Sequence, residues 1–368
     1  MNPTRVVRWC SILIVTLVLA CPAFSGIRPS FRLDYSSWHA THIVLVATTS
    51  TDGTFEVLDS WKGDLKVGQR VVVPELRPSS KAVPIPLYPK SWSEAVAGGV
   101  TEMIPKLPVG SRMILFLKSE EQHPSTSKSG KSEYSWKPAD IFGEMKTSVL
   151  WIDGDHVSQF VQLMNPGPSV FFEFPGSEHK VRDRVIEIDE AQRELTVSVA
   201  ESEGTVRAER LKPYVHSDIL PARLFALEEL GKFGPEAVPT ILAMLDDPSF
   251  GAEADGLIKA LVRAGGETVG EELNSRLRRE LAFWKTAGPN LTQGWWNQDL
   301  NRGTPLRGRY SQTYELIIAL ESTHYSPARK TAIELRDLWR SLPQLNDPSG
   351  LNQIAEECDK LISQFLPN

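Results

Sequence analysis

The rhythm of hydrophobic and polar positions changes near residue 173. Before it, short apolar runs and two-residue alternation dominate. Ile43-Val44-Leu45-Val46 is a run of buried type, and Phe55 and Val57 alternate with polar neighbours within 54–61. Residues 70–73, 113–117, 149–152 and 156–163 repeat the pattern, with Asp52-Gly53, Lys62-Gly63-Asp64 and Asp153-Gly154 as turn signals between them. Six or more short strands joined by tight turns predict a small antiparallel β-barrel or sandwich. Two loops are expected within it. Residues 74–108 carry prolines at 74, 78, 84, 86, 89, 105 and 108, which exclude central strands, and 119–133 are rich in Ser, Lys and Gly.

Beyond a Phe-rich segment (Phe171, Phe172, Phe174) the period lengthens. Val181, Val185, Ile188, Leu195 and Val199 recur at three-, four- and seven-residue steps, as one stripe of a helix requires. Ser217 and Asp218 are placed to cap a further helix with Leu220, Leu224, Leu227 and Leu230 inward and Gly231 and Gly234-Pro235 at its end. Val238, Ile241, Leu242 and Leu245 give its partner a stripe, so the pair reads as a helical hairpin. Ala226-Leu227 with Gly231 is echoed 34 residues on by Ala260-Leu261 with Gly265, followed by the stripe Leu273, Leu277, Leu281, Trp284. A fixed period of hairpins is the signature of an α-solenoid, because one hairpin cannot bury both faces. An interruption at 287–309 precedes the closing helices, the last of which carries Cys358 on its apolar stripe.

Two resemblances follow from these residues. The strand 43–48, the turn Asp52-Gly53, the run Val57-Leu58-Asp59-Ser60-Trp61-Lys62-Gly63, Gly68 and Val71-Val72-Val73 resemble the opening of netrin-like, OB-type barrels over roughly 35 residues. The run from Arg223 through Ala226-Leu227, Leu230-Gly231 and Gly234-Pro235-Glu236-Ala237-Val238-Pro239 resembles a HEAT-type repeat, which implies scaffolding or partner binding. The expected fold class is therefore α+β and multidomain: a leader at 1–25, a β-rich barrel-like domain at 26–172, and a HEAT-like all-α domain at 173–368 with an insert at 287–309. As a whole the chain resembles an exported bacterial protein built from these two parts.

The leader sets the compartment. Arg5 and Arg8 precede an uncharged apolar run from Trp9 to Ala20, and Ala23-Phe24-Ser25 offers small residues for cleavage before Gly26, the order of an export signal. A periplasmic or extracellular location follows. Val18-Leu19-Ala20-Cys21 also resembles a lipoprotein box, in which a lipidated Cys21 would anchor the chain. Membrane association is expected only through that lipid or an uncleaved leader. Without 1–25 the balance is 38 basic against 46 acidic residues, the wrong sign for a nucleic-acid partner. Of the three cysteines only Cys358 lies outside the leader, so no internal disulfide is expected.

No nucleophile motif of the kinds that hydrolases use is present, so no catalytic residue and no cofactor are assigned. His39 and His42 are weak metal candidates, since zinc needs three or four ligands and no HExxH or CxxC supplies the rest. The insert region holds the binding candidates: Trp284, Trp295, Trp296, Arg302, Arg307, Arg309 and Tyr310. Indole faces stack on sugars or apolar side chains and arginine forks pair with carboxylates or phosphates. The expected activity is non-enzymatic binding of a protein or a cell-envelope polymer through a helical-repeat surface. The rival is an extracytoplasmic hydrolase acting on polysaccharide or peptide in an inter-domain cleft, with Asp153/Asp155 and Asp246/Asp247 as paired carboxylates too close in sequence to nominate.

Overall fold

The computed structural model describes residues 32–50, 53–76, 109–119, 136–139, 149–162, 169–173, 176–200, 203–292, 295, 306–345 and 353–365. The leader, the prospective lipidation site Cys21 and most of both predicted loops lie outside them. The chain forms two compact units, residues 1–192 and 193–368.

In the first unit a short helix, α1 (Leu33–His39), leads into β1 (His42–Thr48), and β2 (Thr54–Lys62), β3 (Arg70–Val72) and β4 (Arg112–Ser119) follow. The remaining strands are β5 (Trp136–Pro138), β6 (Val149–Asp153), β7 (His156–Gln162) and β8 (Ser169–Glu173). They make one antiparallel sheet in the order β3-β2-β1-β4-β6-β7-β8, with β5 on β4 beside β6. The sheet is open, which corrects the barrel expectation. Among the described residues no ladder joins β3 to β8; β3 spans three residues and ends at Val72, and Pro74 beyond it enters a 3-10 turn and cannot extend a ladder. Helices, not a second half of the sheet, cover one face.

Both faces of the central strands are buried, which explains the unbroken apolar runs of β1 and β4. Val44, Val46, Met113, Leu115 and Leu117 point to one side with Phe55, Val57, Val71 and Trp136. Ile43, Leu45, Ile114 and Phe116 point to the other, against Leu33 of α1 and Val181 and Val185 of α2 (Glu178–Val199). The pairing of β1 with β2 slips twice, placing Leu58 and Trp61 as extra residues on β2. Each bulge reverses the side-chain phase. Val57 therefore joins the first cluster, while Asp59, Trp61 and Lys62 turn toward the helices.

That turn builds a polar clasp. Lys62 Nζ donates to the Ser37 carbonyl at 2.8 Å and to Gln192 Oε1 at 2.6 Å, with Asp189 at 3.8 Å. Burial holds the Lys62 pKa below its ordinary value, and Asp189 partly opposes it. Arg182 reaches Asp59 at 3.5 Å, and Arg184 pairs with both oxygens of Asp34 at 3.0 and 2.9 Å.

The second unit is helical: α3 (Gly204–Val215), α4 (Leu220–Lys232), α5 (Val238–Asp246), α6 (Ala254–Gly265), α7 (Gly270–Ala287), α8 (Leu306–Thr323), α9 (Ala328–Ser341) and α10 (Ile354–Ser363). α4 packs on α6, α6 on α8 and α8 on α10, while α7 packs on α9. Three details differ from expectation. The buried stripe of α4 is Ala222, Ala226 and Leu230, and Leu224 is exposed. Gly231 lies inside α4, where an added Cβ would sit 3.4 Å from Ala260 Cα and 3.0 Å from Arg263 Cβ; Gly234, at φ +72°, makes the stop. Ser217 does not cap the helix directly, its Oγ accepting instead from the Ile219 N–H at 3.1 Å before the first turn.

Among the described residues no helix is long and apolar enough to cross a membrane.

Candidate functional site

Three of the seven insert candidates are core. Trp284 and Tyr310 are fully buried and Trp295 nearly so. Trp284 meets Trp339 edge-on at 5.3 Å and Trp295 at 6.2 Å, and Tyr310 lies 6.3 Å from both Trp295 and Trp339. The indole N–H groups are spent internally, Trp284 Nε1 on Thr313 Oγ1 at 2.9 Å and Trp295 Nε1 on the Gln344 carbonyl at 2.7 Å. These rings offer no face to a ligand. Trp296 and Arg302 lie outside the described residues, and Arg307 is half-buried on the first turn of α8.

Arg309 is different, because it opens onto a cavity of about 330 Å³. The end of α5, the 3-10 turn Pro248–Glu253, the start of α6, one face of α7 and the first turns of α8 enclose it. Arg276, Arg279 and Glu280 stand at i, i+3 and i+4 of α7, so helical geometry alone brings them to one face. Arg276 is buried and clamped: its Nη2 donates to Asp246 Oδ1 at 2.7 Å, Nη1 to the Leu245 carbonyl at 3.3 Å, and Nε lies 2.9 Å from Glu272. Arg279 is 60% exposed and only loosely paired, 3.7 Å from Glu272. Arg309 reaches both oxygens of Glu280 at 3.2 and 3.3 Å and rests over the Phe283 ring at 4.1 Å. Burial raises the Glu280 pKa, with Arg309 opposing.

The opposite wall is partly apolar, with Leu245, Pro248, Phe250 and Ala254. His216 stacks on Phe250 at 3.8 Å and reaches Glu253 at 3.2 Å. Asp247 accepts the Ser249 N–H at 2.9 Å, and that bond first of all lowers its pKa. Among the described residues no serine, threonine or cysteine lines the cavity, whose carboxylates are Asp246, Asp247 and Glu280. Guanidinium forks beside an apolar wall suit an anionic group carried on an organic chain.

A second cavity, about 270 Å³ between α6 and α8, is lined by Val262, Ile318, Lys259 and Glu315, the last two 2.9 Å apart. Nearby, burial and the Glu315 charge push Asp255 up to about 6.

The histidines sit in the first unit. His39 ends α1, stacked on Tyr35 at 6.4 Å, and burial, with Lys118 and Lys62, lowers its pKa. His42 opens β1, with Nε2 2.9 Å from Asp64 Oδ1, Nδ1 3.0 Å from Thr41 Oγ1, and Trp136 at 4.5 Å. Among the described residues no group of three or more His, Cys, Asp or Glu is placed to hold a metal. Cys358 is buried in α10, and burial raises its thiol well above the usual range.

Sequence reasoning missed Arg276, Arg279, Glu280 and Gln312 as lining residues. The available signal was Arg276 itself, a charge bordering the apolar stripe of Leu273 and Leu277. No protein-family model matches the chain, and neither a curated protein nor a solved structure matches it.

Proposed function

We propose that this is an exported, non-enzymatic binding protein whose C-terminal unit is a HEAT-like α-solenoid gripping a protein or a cell-envelope polymer. The leader 1–25 supports export. The repeat reading draws support from the contacts of α4 with α6 and the residue that precedes it, which advance together along the chain: Arg223 with Glu253, Leu227 with Gly256, and Gly231 with Ala260. Each of these pairs is about one helix-hairpin apart in sequence, as stacked units require.

The observation that carries the binding reading is the arginine cavity. It concentrates charge-bearing donors where helices α5 to α8 meet, and its three carboxylates are taken up by the chain itself, Asp246 by Arg276, Glu280 by Arg309 and Asp247 by the Ser249 N–H. Carboxylates held in this way favour recognition of an anionic group over its transformation.

The test uses the chain without residues 1–25, sedimented with isolated bacterial envelope at low and high salt. Binding that salt weakens, and that is lost in the double variant Arg279→Glu/Arg309→Glu, is the expected result. Undiminished binding by that variant, or release of sugar or peptide fragments from the envelope, would overturn the reading.

A further inference from the structure

Each well-held guanidinium in the cavity is already paired with a carboxylate of the chain itself: Arg276 with Asp246, Arg309 with Glu280. The site is thus built to carboxylate geometry. The two pairs differ in tightness. Arg276 is buried at 2.7 Å from its partner with further partners around it, whereas Arg309 is 39% exposed at 3.2 Å and has the open cavity beside it.

We propose that the cavity takes a side-chain carboxylate of an acidic peptide segment, and that Glu280 is its internal competitor, occupying Arg309 until the incoming carboxylate displaces it. The inference rests on the cavity being the contact site proposed above.

In the exchange, Arg309 swings from Glu280 toward the cavity and Arg279, loosely held, closes from the opposite side. Arg309 keeps its number of charge-assisted hydrogen bonds, so the cost that opposes the exchange is that of leaving Glu280 alone. Protonating Glu280 removes that cost. The groups facing it are Arg309 and Thr313 from α8 and Arg279 from its own helix. Arg276, Asp246 and Asp247 share the cavity, and His216 lies behind Phe250. The apolar wall accommodates the methylenes of a Glu or Asp side chain, and a bare inorganic ion leaves that wall uncovered.

The probes are hexaglutamate and inorganic phosphate, titrated calorimetrically into the chain lacking 1–25 at neutral and at mildly acidic pH. Wild type should bind hexaglutamate more tightly at the lower pH, and phosphate less tightly than hexaglutamate at both. Glu280→Gln should bind about tenfold more tightly at neutral pH, or about 1.4 kcal/mol, and should lose the pH dependence, while His216→Asn keeps it. A neutral-pH affinity in Glu280→Gln equal to or below wild type overturns the competitor role. Should that variant fail to fold, a wild-type affinity that does not rise on acidification does the same. Phosphate binding as tight as hexaglutamate overturns the carboxylate assignment. If Arg279→Glu/Arg309→Glu binds hexaglutamate like wild type, the cavity reading itself fails, and Glu280 is not at issue.

Discussion

Gly63 and Gly68 form a matched pair from which the cost of one ring contact can be read. Both have positive φ, +88° and +80°, so alanine at either site pays a left-handed penalty of about 1–2 kcal/mol. At Gly68 a Cβ meets nothing within 4 Å. At Gly63 it would lie 2.2 Å from His42 Cδ2, and ring carbons cannot yield without the imidazole rotating away. Rotation breaks the edge contact with Trp136, worth about 0.5–1.5 kcal/mol, and frees Asp64, whose bond to His42 is solvent-screened. Gly63→Ala should therefore destabilise by about 2–3 kcal/mol and Gly68→Ala by about 1–2. In a unit of this size the difference is roughly 2–4 °C in Tm per kcal/mol. Calorimetric melting and urea unfolding of both variants measure it. In a His42→Ala background, where the ring and its contacts are already gone, Gly63→Ala should cost only the left-handed penalty of about 1–2 kcal/mol. Equal loss in the two single variants, or strict additivity in the double, would refute the account.

Three further outcomes follow from packing and burial. Trp284→Ala and Trp295→Ala should each lower stability by about 3–5 kcal/mol, visible as a large fall in Tm of the helical unit, because both rings are core; a stable variant with altered binding alone would contradict this. Leu224→Ser should shift stability by less than about 0.5 kcal/mol, whereas Ala226→Leu, at the buried position two residues on, should cost about 1–3 kcal/mol through overpacking; urea midpoints distinguish them. Asp255 carries a folded pKa above its ordinary value, so its contribution is intact below pH ~4 and is lost as pH rises through about 6. Asp255→Asn should then raise stability at neutral pH by on the order of 1 kcal/mol after solvent screening, read as a higher Tm, with no gain at acidic pH.

Much of the fold was legible because its signals are local. Short apolar runs and alternation between turn signals placed β1, β2, β4, β6 and β7, and Gly154 at φ +58° makes the hairpin that Asp153-Gly154 announced. The stripes of α6 and α7 are buried as their spacing implies. What was missed depends on tertiary partners. α1 is seven residues long, too short for periodicity to register, and it persists because Leu33 packs on the sheet while Asp34 meets Arg184. β5 carries three residues and exists only as a ladder on β4. The stripe of α4 was misphased because leucine outweighs alanine in a hydrophobic count, yet close helix approach selects Ala222, Ala226 and Gly231. For the site, Arg309 was visible as an arginine in an aromatic neighbourhood. Arg279 and Glu280, however, acquire meaning only when α7 is laid beside α8. The tryptophans misled for a related reason, since a paired indole in a Gly-rich stretch reads alike whether it faces solvent or returns to the core.

The two extra residues of β2 have a consequence for how this strand can change length. Neither has a Cα partner on β1, so the paired residues alternate without them: Val57 opposite Val46, Asp59 opposite Leu45, Ser60 opposite Val44 and Lys62 opposite Ile43. Deleting Leu58, Trp61 or both should therefore leave each of those residues facing as it does now, at the cost of the deleted side chain's own packing. Length variation in this segment is tolerable at these two places one residue at a time, and a relative of this chain with a single gap there keeps the surface on which its helices rest.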